Sequence, residues 1–354
     1  MAITSHGFGH AVRVASVAAH IQQLDPNILL ILVTTVPRWL LGSYITGDFI
    51  HRPRAFDVGV IQSDSVTMDK EATLARLQEI YRQQNSIIAG EVNYIRTNKV
   101  GLVLGDIPFL AANIAKTAGI PCWMMSNFGW DFIYRDWGGE FTTIADWISE
   151  CYSKCDCLFR LPMAESMSAF PQVTPTGLTG GNPRYTSSQL SDEFGLNSPR
   201  EKTVMLTFGG LGLHQIPYNN LEYFPDWQFI TFDRQAPDLP NLLKITDHNY
   251  RPVDFMPQCG QVVSKPGYST FSEAMRLGIP LISLTREGFA ESPLLMAGLR
   301  NYSHHKIITP EDFLHSNWDF LRQPLQPPRQ NSSLPTDGSE TIAQAVVDYF
   351  HQLA

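Results

Sequence analysis

Two histidines near the amino terminus are the first side chains in the sequence that could move a proton. They bound the segment His6-Gly7-Phe8-Gly9-His10, which lies between a short apolar run and residues with helical spacing. The glycines let the backbone turn tightly and approach a ligand, and a helix start favours polar or negative groups. The segment is not a dinucleotide fingerprint, because a valine stands where a third small residue belongs. Another interpretation stays open, in which His10 only caps or packs the helix start.

Asp106 is the carboxylate that fits this loop. It ends an apolar run of strand length and precedes Ile107-Pro108. In a parallel sheet, the end of that strand meets the loop after the first strand at one edge, within reach of an imidazole. A carboxylate behind a histidine fixes its tautomer and stabilises the imidazolium, which is a general-base arrangement. The alternative is that Asp106 merely caps the next helix.

Residues 264–273 hold a second group of chemically capable side chains. The segment runs from a predicted strand end through a turn of small residues into a helix. Backbone N–H groups at the helix start, two hydroxyls and a lysine suit a diphosphate, and a glutamate one turn later suits a ribose diol. A plain capping turn would explain the hydroxyl residues, but not the lysine, glycine and glutamate together. The candidates are Lys265, Gly267, Tyr268, Ser269, Thr270 and Glu273.

A glycine-rich loop over residues 209–212 opens the second half of the chain. Such a loop allows a ligand to approach the backbone closely, although it specifies no particular ligand. We take Gly210 as the candidate binding residue of this loop.

Apolar runs alternating with helical stretches must position these groups. In the first half, continuous apolar runs of strand length cover 28–35, 101–104 and 122–125, and a helical stretch covers 111–117. Continuous apolar strands separated by helices are typical of a parallel sheet that is covered on both faces. The pattern restarts in the second half, where we predict strands at 203–208, 227–232, 261–264 and 279–284 and a helix at 271–277.

The predicted fold class is α/β, with two Rossmann-like domains that face each other across a cleft. We place the first domain at 1–178 and the second at 200–325, with a linker in the Gly-, Pro-, Thr- and Ser-rich stretch 174–188. Residues 324–337 are rich in Pro, Ser and Asn and should be extended or mobile. The remaining stretch, 338–354, has the apolar spacing of an amphipathic helix.

Composition excludes several classes of protein. The chain has 354 residues, which suits two domains at about 150 residues each. Its 26 Lys and Arg against 34 Asp and Glu give a net charge of −8, which argues against a general nucleic-acid binder. No aliphatic run approaches the length that spans a bilayer, and we see no signal peptide. The five cysteines make no disulfide scaffold, and Cys151, Cys155 and Cys157 lack the paired spacing of a metal site. We therefore expect a cytoplasmic protein that needs no metal or cofactor.

Taken together, these motifs resemble those of the GT-B nucleotide-sugar glycosyltransferases. They are similar in particular to the GT-B-like segment before the kinase domain of plant arabinokinases and to stand-alone bacterial relatives of that segment. The likeness covers nearly the whole chain, and the motifs are more specific jointly than singly. They are Ser5-His6-Gly7-Phe8-Gly9-His10-Ala11-x-Arg13, Asp57-Val58-Gly59-Val60-x-Gln62-x-Asp64-Ser65, Asp106-Ile107-Pro108 and Ser126-Asn127-Phe128-x-Trp130-Asp131.

The resemblance implies metal-independent, inverting transfer of a sugar from a nucleotide diphosphate, with UDP as the expected nucleotide, to an acceptor hydroxyl. On the acceptor side it makes His10 the base, with Asp106 behind it and residues 6–9 as the acceptor-side loop. The acceptor would be a small molecule or a lipid-linked one. The final helix would cross back to the first domain, as it does in this fold.

On the donor side, the resemblance assigns residues to each part of a nucleotide sugar. Val253 would meet the base through its backbone, and Glu273 would bind the ribose. Two departures concern Lys265, where many plant enzymes have His, and Glu291, where Asp-Gln is usual. The residues implied for diphosphate and sugar are Gly267, Ser269, Thr270, Arg286, Glu287 and Glu291.

Two other functions fit the same motifs. One is a nucleotide-sugar epimerase on the same fold. The other is a module that binds a nucleotide sugar without catalysis, since fold alone does not establish activity.

A further patch joins apolar and basic residues. Residues 36–41 with Tyr44 are apolar and aromatic, and 51–54 are basic. Such a patch could dock a lipid-linked acceptor or an anionic surface as a peripheral membrane contact. It could equally be the core face of a helix followed by a solvated loop.

Overall fold

A computed structural model describes residues 1–4, 6–62, 68–209 and 215–353. Among these residues the first sheet has seven strands, and every pairing between them is parallel. The strands are β1 (Ala2–Ile3), β2 (Ile31–Val33), β3 (Ile50–Arg52), β4 (Val103–Asp106), β5 (Cys122–Ser126), β6 (Cys157–Arg160) and β7 (Val173–Pro175). Their order across the sheet is β3-β2-β1-β4-β5-β6-β7.

Helices cover both faces of this sheet and complete the first lobe. The longest is not predicted by the apolar pattern, because most of its 28 residues face solvent and few side chains are buried. It begins where the Asp69 carboxylate accepts a hydrogen bond from the Ala72 N–H, which is a typical helix cap. The helices are α1 (Gly9–Leu24), α2 (Arg38–Gly42), α3 (Lys70–Thr97), α4 (Leu110–Ala118), α5 (Trp130–Trp137) and α6 (Phe141–Tyr152).

The second lobe repeats this architecture with six parallel strands in the described part of the chain. Its strands are β8 (Thr203–Leu206), β9 (Gln228–Thr231), β10 (Leu242–Lys244), β11 (Gln261–Ser264), β12 (Leu281–Leu284) and β13 (His305–Ile308), in the order β10-β9-β8-β11-β12-β13. Its helices are α7 (Ser187–Phe194), α8 (Pro252–Phe255), α9 (Tyr268–Arg276), α10 (Glu291–Tyr302) and α11 (Pro310–His315).

Each sheet reverses its strand order at one point, between β1 and β4 in the first lobe and between β8 and β11 in the second. Ligands of such sheets bind in the crevice outside the carboxyl ends of the strands at this reversal. Ile3 pairs with Asp106 in the register of the first sheet. The loop before α1 and the end of β4 therefore share this crevice, and the predicted pair of Rossmann-like domains is confirmed.

The last helix, α12 (Gly338–Leu353), returns to the first lobe, as predicted. It packs along α1, and its buried face carries Ile342, Ala343, Val346 and Val347. Near its end the Tyr349 hydroxyl donates to the Gly101 carbonyl over 3.2 Å. In the ranges that the structure describes, no helix has both the length and the apolarity that crossing a bilayer requires.

The predicted linker between the lobes is packed against α9 and α12. The Gly180 N–H donates to the Ser339 hydroxyl over 3.1 Å, and the Gly181 N–H donates to the Glu273 carboxylate over 3.0 Å. A Cβ on Gly180 would lie 2.6 Å from the Cγ of Glu273. The glycines thus let the connection pass tightly between α9 and α12. The domain boundaries themselves stay predictions.

Candidate active site

The predicted pair of His10 and Asp106 comes together at the carboxyl edge of the first sheet. His10 is the second residue of α1 and is 7% exposed, and Asp106 ends β4 and is fully buried. The His10 Nδ1 lies 3.1 Å from the Asp106 Oδ2. His10 therefore has the carboxylate behind it that a general base requires.

Arg13 is the residue of this site to which the sequence analysis gave no role. It lies one helical turn after His10, on the same face of α1, and is 1% exposed. Its Nε donates to the Asp106 Oδ2 over 2.6 Å and its Nη2 to the Oδ1 over 2.5 Å, in a bidentate ion pair. Burial raises the pKa of the Asp106 carboxyl, but the charges of Arg13 and His10 outweigh it and hold this pKa below its usual value. Asp106 is therefore a carboxylate at neutral pH.

The polar network continues from Arg13 across the cleft. The Arg13 Nη1 donates to the Asn127 Oδ1 over 2.9 Å, and its Nη2 lies 2.9 Å from the Ser126 hydroxyl. The Asn127 Nδ2 in turn donates to the Glu291 Oε1 over 2.8 Å. Glu291 opens α10 of the second lobe, so a continuous hydrogen-bonded path joins the predicted base to a predicted donor-side carboxylate.

His6 lies in an aromatic cage beside this network. Its ring stacks on Phe289 and meets the edge of Trp130. The Val60 N–H donates to its Nδ1 over 3.2 Å, so the ring proton sits on Nε2. Desolvation lowers the pKa of His6 well below its usual value, and the charge of His10 lowers it further. A Cβ on Gly59 would lie 2.5 Å from the His6 Cβ, which explains the glycine of that motif.

The predicted diphosphate turn faces the acceptor-side loop directly. The Ser269 hydroxyl donates to the Gly9 carbonyl of the first lobe over 2.7 Å. Gly267 precedes the first turn of α9, so backbone N–H groups of this helix start point toward the same crevice. Tyr268 is buried, with the Arg13 guanidinium 5.2 Å from its ring centre. Lys265 lies next to Gly209 of the neighbouring loop, and Gly210 itself lies outside the described residues.

Glu273 is packed more deeply than the sequence indicates. It is 4% exposed, and its Oε1 accepts from the Gly181 N–H over 3.0 Å and from the Tyr44 hydroxyl over 3.2 Å. Burial raises its pKa to about 7, although the Gly181 N–H and Arg251 act in the opposite direction. Its predicted contact with a ribose stays a prediction.

The other predicted donor-side residues take different positions. Val253 lies in α8 and is fully buried, and its predicted backbone contact with a base stays a prediction. The Arg286 guanidinium lies 4.4 Å from the ring centre of Phe289, and Glu287 is exposed. Thr270 is half-buried in the first turn of α9.

The apolar and basic patch is partly buried and spans α2 and β3. Leu40, Leu41 and Tyr44 are buried, and Trp39 stacks on His248 of the second lobe with ring centres 3.9 Å apart. Arg52 of the basic part forms an ion pair with Glu91. Part of the patch is therefore core and part joins the lobes, while Trp39 keeps 39% of its surface exposed and the predicted membrane contact stays a prediction.

The three clustered cysteines of the sequence analysis lie in the first lobe. Cys151 and Cys155 are buried free thiols and Cys157 is a half-buried one. In the part of the chain that the structure describes, no three His, Cys, Asp or Glu side chains gather as metal ligands would.

The sequence of this chain is similar to part of a plant protein. No protein-family model matches the chain. L-arabinokinase from Arabidopsis thaliana is 29% identical over 326 residues, which make up 89% of this chain and 31% of the plant protein. The chain thus spans about a third of the length of that relative.

Solved structures match over nearly the whole chain. A UDP-glucosyltransferase from Polygonum tinctorium capable of glucosylating indoxyl has a TM-score of 0.60 and 14% identity, over 91% of this chain and 87% of its own. UGT2 from Phytolacca americana, complexed with UDP-2-fluoro-glucose and pterostilbene, has a TM-score of 0.57 and 14% identity, over 91% and 88%. A Listeria monocytogenes protein assigned as a UDP-N-acetylglucosamine 2-epimerase has a TM-score of 0.54 and 13% identity, over 99% and 96%.

The chain has the GT-B fold. The resemblance expected from the motifs is confirmed at this level, for both sheets and for the returning last helix. In this GT-B arrangement the loop before α1 and the turn before α9 form opposite walls of one cleft, joined by the contact between Gly9 and Ser269.

Proposed function

We propose that the chain is an inverting, metal-independent glycosyltransferase that moves a sugar from a nucleotide diphosphate, with UDP as the expected nucleotide, to an acceptor hydroxyl. The observation that carries this proposal is the position of a buried His–Asp pair opposite a helix start. His10 and Asp106 are 3.1 Å apart on one wall, and Ser269 of the other wall contacts Gly9, the residue before His10. A base for the acceptor and a site for the leaving group are thus adjacent.

The reaction follows from these groups. His10 accepts the proton of the acceptor hydroxyl, whose oxygen attacks the anomeric carbon as the bond to the diphosphate breaks. A single displacement of this kind inverts the anomeric configuration. Asp106 stabilises the imidazolium that forms, and the α9 helix start with Lys265 stabilises the departing diphosphate. Preorganised groups of this type contribute several kcal/mol to a transition state, and Lys265 here takes the place of a metal ion.

The solved relatives support the donor part of this proposal. One is named a UDP-glucosyltransferase and another was solved with UDP-2-fluoro-glucose. We propose a small-molecule acceptor, because a solved relative was complexed with pterostilbene as well as with UDP-2-fluoro-glucose. A lipid-linked acceptor, a peripheral membrane position and a cytoplasmic location stay hypotheses of the same proposal.

An epimerase is the second candidate function. It is favoured by the Listeria monocytogenes relative, which matches 99% of this chain. Such an enzyme would isomerise the sugar of the donor and would need no acceptor.

The test is a donor and acceptor screen on the purified full chain. UDP-, GDP- and dTDP-sugars are incubated with a panel of hydroxylated aromatic and carbohydrate acceptors, with and without EDTA, and nucleotide release and product configuration are measured. We expect UDP release that depends on acceptor and survives EDTA, and an inverted product. His10→Ala should lower the rate by about 10²- to 10⁴-fold. His315→Ala, on the exposed helix α11, is the matched control and should keep the full rate.

Three outcomes would contradict the proposal. Retained transfer in a folded His10→Ala protein would remove His10 as the base. An isomerised sugar from donor alone would favour the epimerase. Nucleotide binding without turnover over the whole panel would indicate a binding module.

A further inference from the structure

We propose that Arg13 is a positioning residue that selects the tautomer of His10, and that Asn127 makes this selection depend on Glu291 across the cleft. The proposal rests on the proposed function, because it concerns when His10 can act as a base. Arg13, Ser126 and Asn127 surround His10 and Asp106, and the hydrogen-bond donors and acceptors around the Arg13 guanidinium decide where the His10 proton sits.

The Nη2 of Arg13 has more acceptors than protons. It carries two N–H groups and lies within hydrogen-bond distance of the Asp106 Oδ1 at 2.5 Å, the His10 Nδ1 at 2.9 Å and the Ser126 hydroxyl at 2.9 Å. The bond to the carboxylate is charge-assisted and short, so it takes one proton. The other proton goes either to His10 or to Ser126.

This choice fixes where His10 holds its proton. Its Nδ1 lies 2.9 Å from Arg13, which only donates, and 3.1 Å from the Asp106 carboxylate, which only accepts. If Arg13 donates to Nδ1, the ring proton must sit on Nε2, and His10 cannot take a proton there. If Arg13 turns its N–H to Ser126, Nδ1 carries the proton and donates to Asp106. Nε2 is then free to act as the base.

A hydrogen-bonded path couples the choice between His10 and Ser126 as acceptor to the second lobe. The Asn127 Oδ1 accepts from the Arg13 Nη1, and its Nδ2 donates to the Glu291 Oε1 over 2.8 Å. Asn127 is fully buried and directly follows Ser126 at the end of β5. A sugar hydroxyl that donates to Glu291 draws negative charge from the oxygen that accepts from Asn127, and so weakens the bond between Asn127 and Glu291. The side chains around Arg13 then rearrange, and its second N–H moves from His10 to Ser126.

The change balances in protons. Water takes one proton from the His10 Nε2 and supplies one to Nδ1, so the number of protons on the ring does not change, and the ion pair of Arg13 with Asp106 stays intact. The base would thus become competent when the donor side is occupied.

The test uses the free, full-length protein and needs no substrate. The protein is labelled with ¹⁵N-histidine, and long-range ¹H–¹⁵N correlation spectra report which ring nitrogen is protonated. The signals of His10 are those that a His10→Gln variant lacks. In the free wild type we expect the Nε2–H tautomer to exceed the Nδ1–H tautomer about tenfold.

Substitutions at Arg13 and along the path should change this ratio. Arg13→Lys keeps the charge for Asp106 but cannot reach all of these acceptors, so the Nδ1–H tautomer should predominate. Asn127→Ala and Glu291→Ala should each shift the ratio at least threefold. Glu311→Ala removes an exposed carboxylate of α11 and is the control that should leave the His10 signals unchanged. An identical ratio in wild type and Arg13→Lys overturns the selection, and unchanged ratios in Asn127→Ala and Glu291→Ala overturn the coupling.

A second measurement separates positioning from structural support. Ser126→Ala removes the alternative acceptor, so His10 should be held as Nε2–H, while Ser126→Thr keeps a hydroxyl and should restore the wild-type ratio. If the chain transfers sugar, Ser126→Ala should lower kcat by about 10- to 100-fold with little change in KM, and Ser126→Thr should recover it. A chain without transfer activity refutes the proposed function but leaves the tautomer result to be measured, so the two failures are distinguishable. Equal ratios in Ser126→Ala and Ser126→Thr would overturn the role of Ser126.

Discussion

The Ser269 hydroxyl of the second lobe donates a hydrogen bond to the Gly9 carbonyl of the first lobe over 2.7 Å. This bond joins the helix start proposed for the diphosphate to the residue before His10. The same hydroxyl cannot donate to Gly9 and to a diphosphate oxygen at once, since it has a single proton. Nucleotide binding should therefore exchange a contact between lobes for a contact with ligand.

Ser269→Ala tests this exchange. Ser269→Ala removes the bond to Gly9 from the free protein and the bond to the diphosphate from the complex. The charge-assisted bond is the stronger by about 1 kcal/mol, so the Kd for UDP should rise about 5-fold in titration calorimetry. Ser153→Ala, at an exposed site after α6, is the control and should bind UDP as the wild type does. An unchanged Kd in Ser269→Ala would mean that Ser269 only joins the lobes.

Asp106→Asn should destabilise the protein strongly, apart from any effect on catalysis. It leaves the fully buried Arg13 guanidinium without its bidentate carboxylate, and breaking a buried ion pair in this way costs about 3–5 kcal/mol. The measurement is the free energy of unfolding in urea. The double variant Asp106→Asn with Arg13→Met removes the unpaired charge and should regain part of this loss. A cost below about 1 kcal/mol for Asp106→Asn would show that the ion pair does not hold the network.

The raised pKa of Glu273 predicts how the free energy of unfolding depends on pH. Its pKa is raised from 4.5 in the unfolded chain to about 7 in the fold, so between these values the folded state binds more protons. Stability should therefore fall as the pH rises from about 4.5 to 7, by at most about 3 kcal/mol. Glu273→Gln should flatten this part of the profile, measured as unfolding free energy at about pH 5 and about pH 8. Tyr44→Phe removes a hydrogen bond that lowers this pKa, so it should move the transition to higher pH. Parallel profiles of wild type and Glu273→Gln would contradict the assignment.

The position of the site could be predicted from the sequence because it follows from topology. Parallel strands place their carboxyl ends at one edge, so His10 and Asp106 had to meet once the apolar runs were recognised as strands. The partner of Arg13 could not be predicted, because a guanidinium chooses among acceptors that only the folded sheet brings together. Its spacing of three residues from His10 was the available signal.

The environment of Glu273 shows the other limit of sequence reasoning. Its place one turn into α9 indicates a ligand contact, whereas the structure packs it against the Gly181 N–H and Tyr44. Those neighbours come from the connection between the lobes and from the segment just after α2. No local sequence pattern around residue 273 indicates that the connection between the lobes passes there. The glycines of that connection mark only a change in composition at 174–188.

Gly180→Ala tests how tightly this connection is packed. The added Cβ would lie 2.6 Å from the Glu273 Cγ, which is closer than packed atoms approach, so the side chain or the backbone must shift. Overpacking of this kind costs about 1–3 kcal/mol in unfolding free energy. The matched control is Gly90→Ala within α3, where a Cβ meets no atom within 4 Å and the change should stabilise the helix by about 0.5–1 kcal/mol. Combining Gly180→Ala with Glu273→Ala removes the clash and should restore part of the loss, while the positive φ of residue 180 keeps the rest. Equal effects of Gly180→Ala and Gly90→Ala would mean that the connection is loose and that the lobes are held elsewhere.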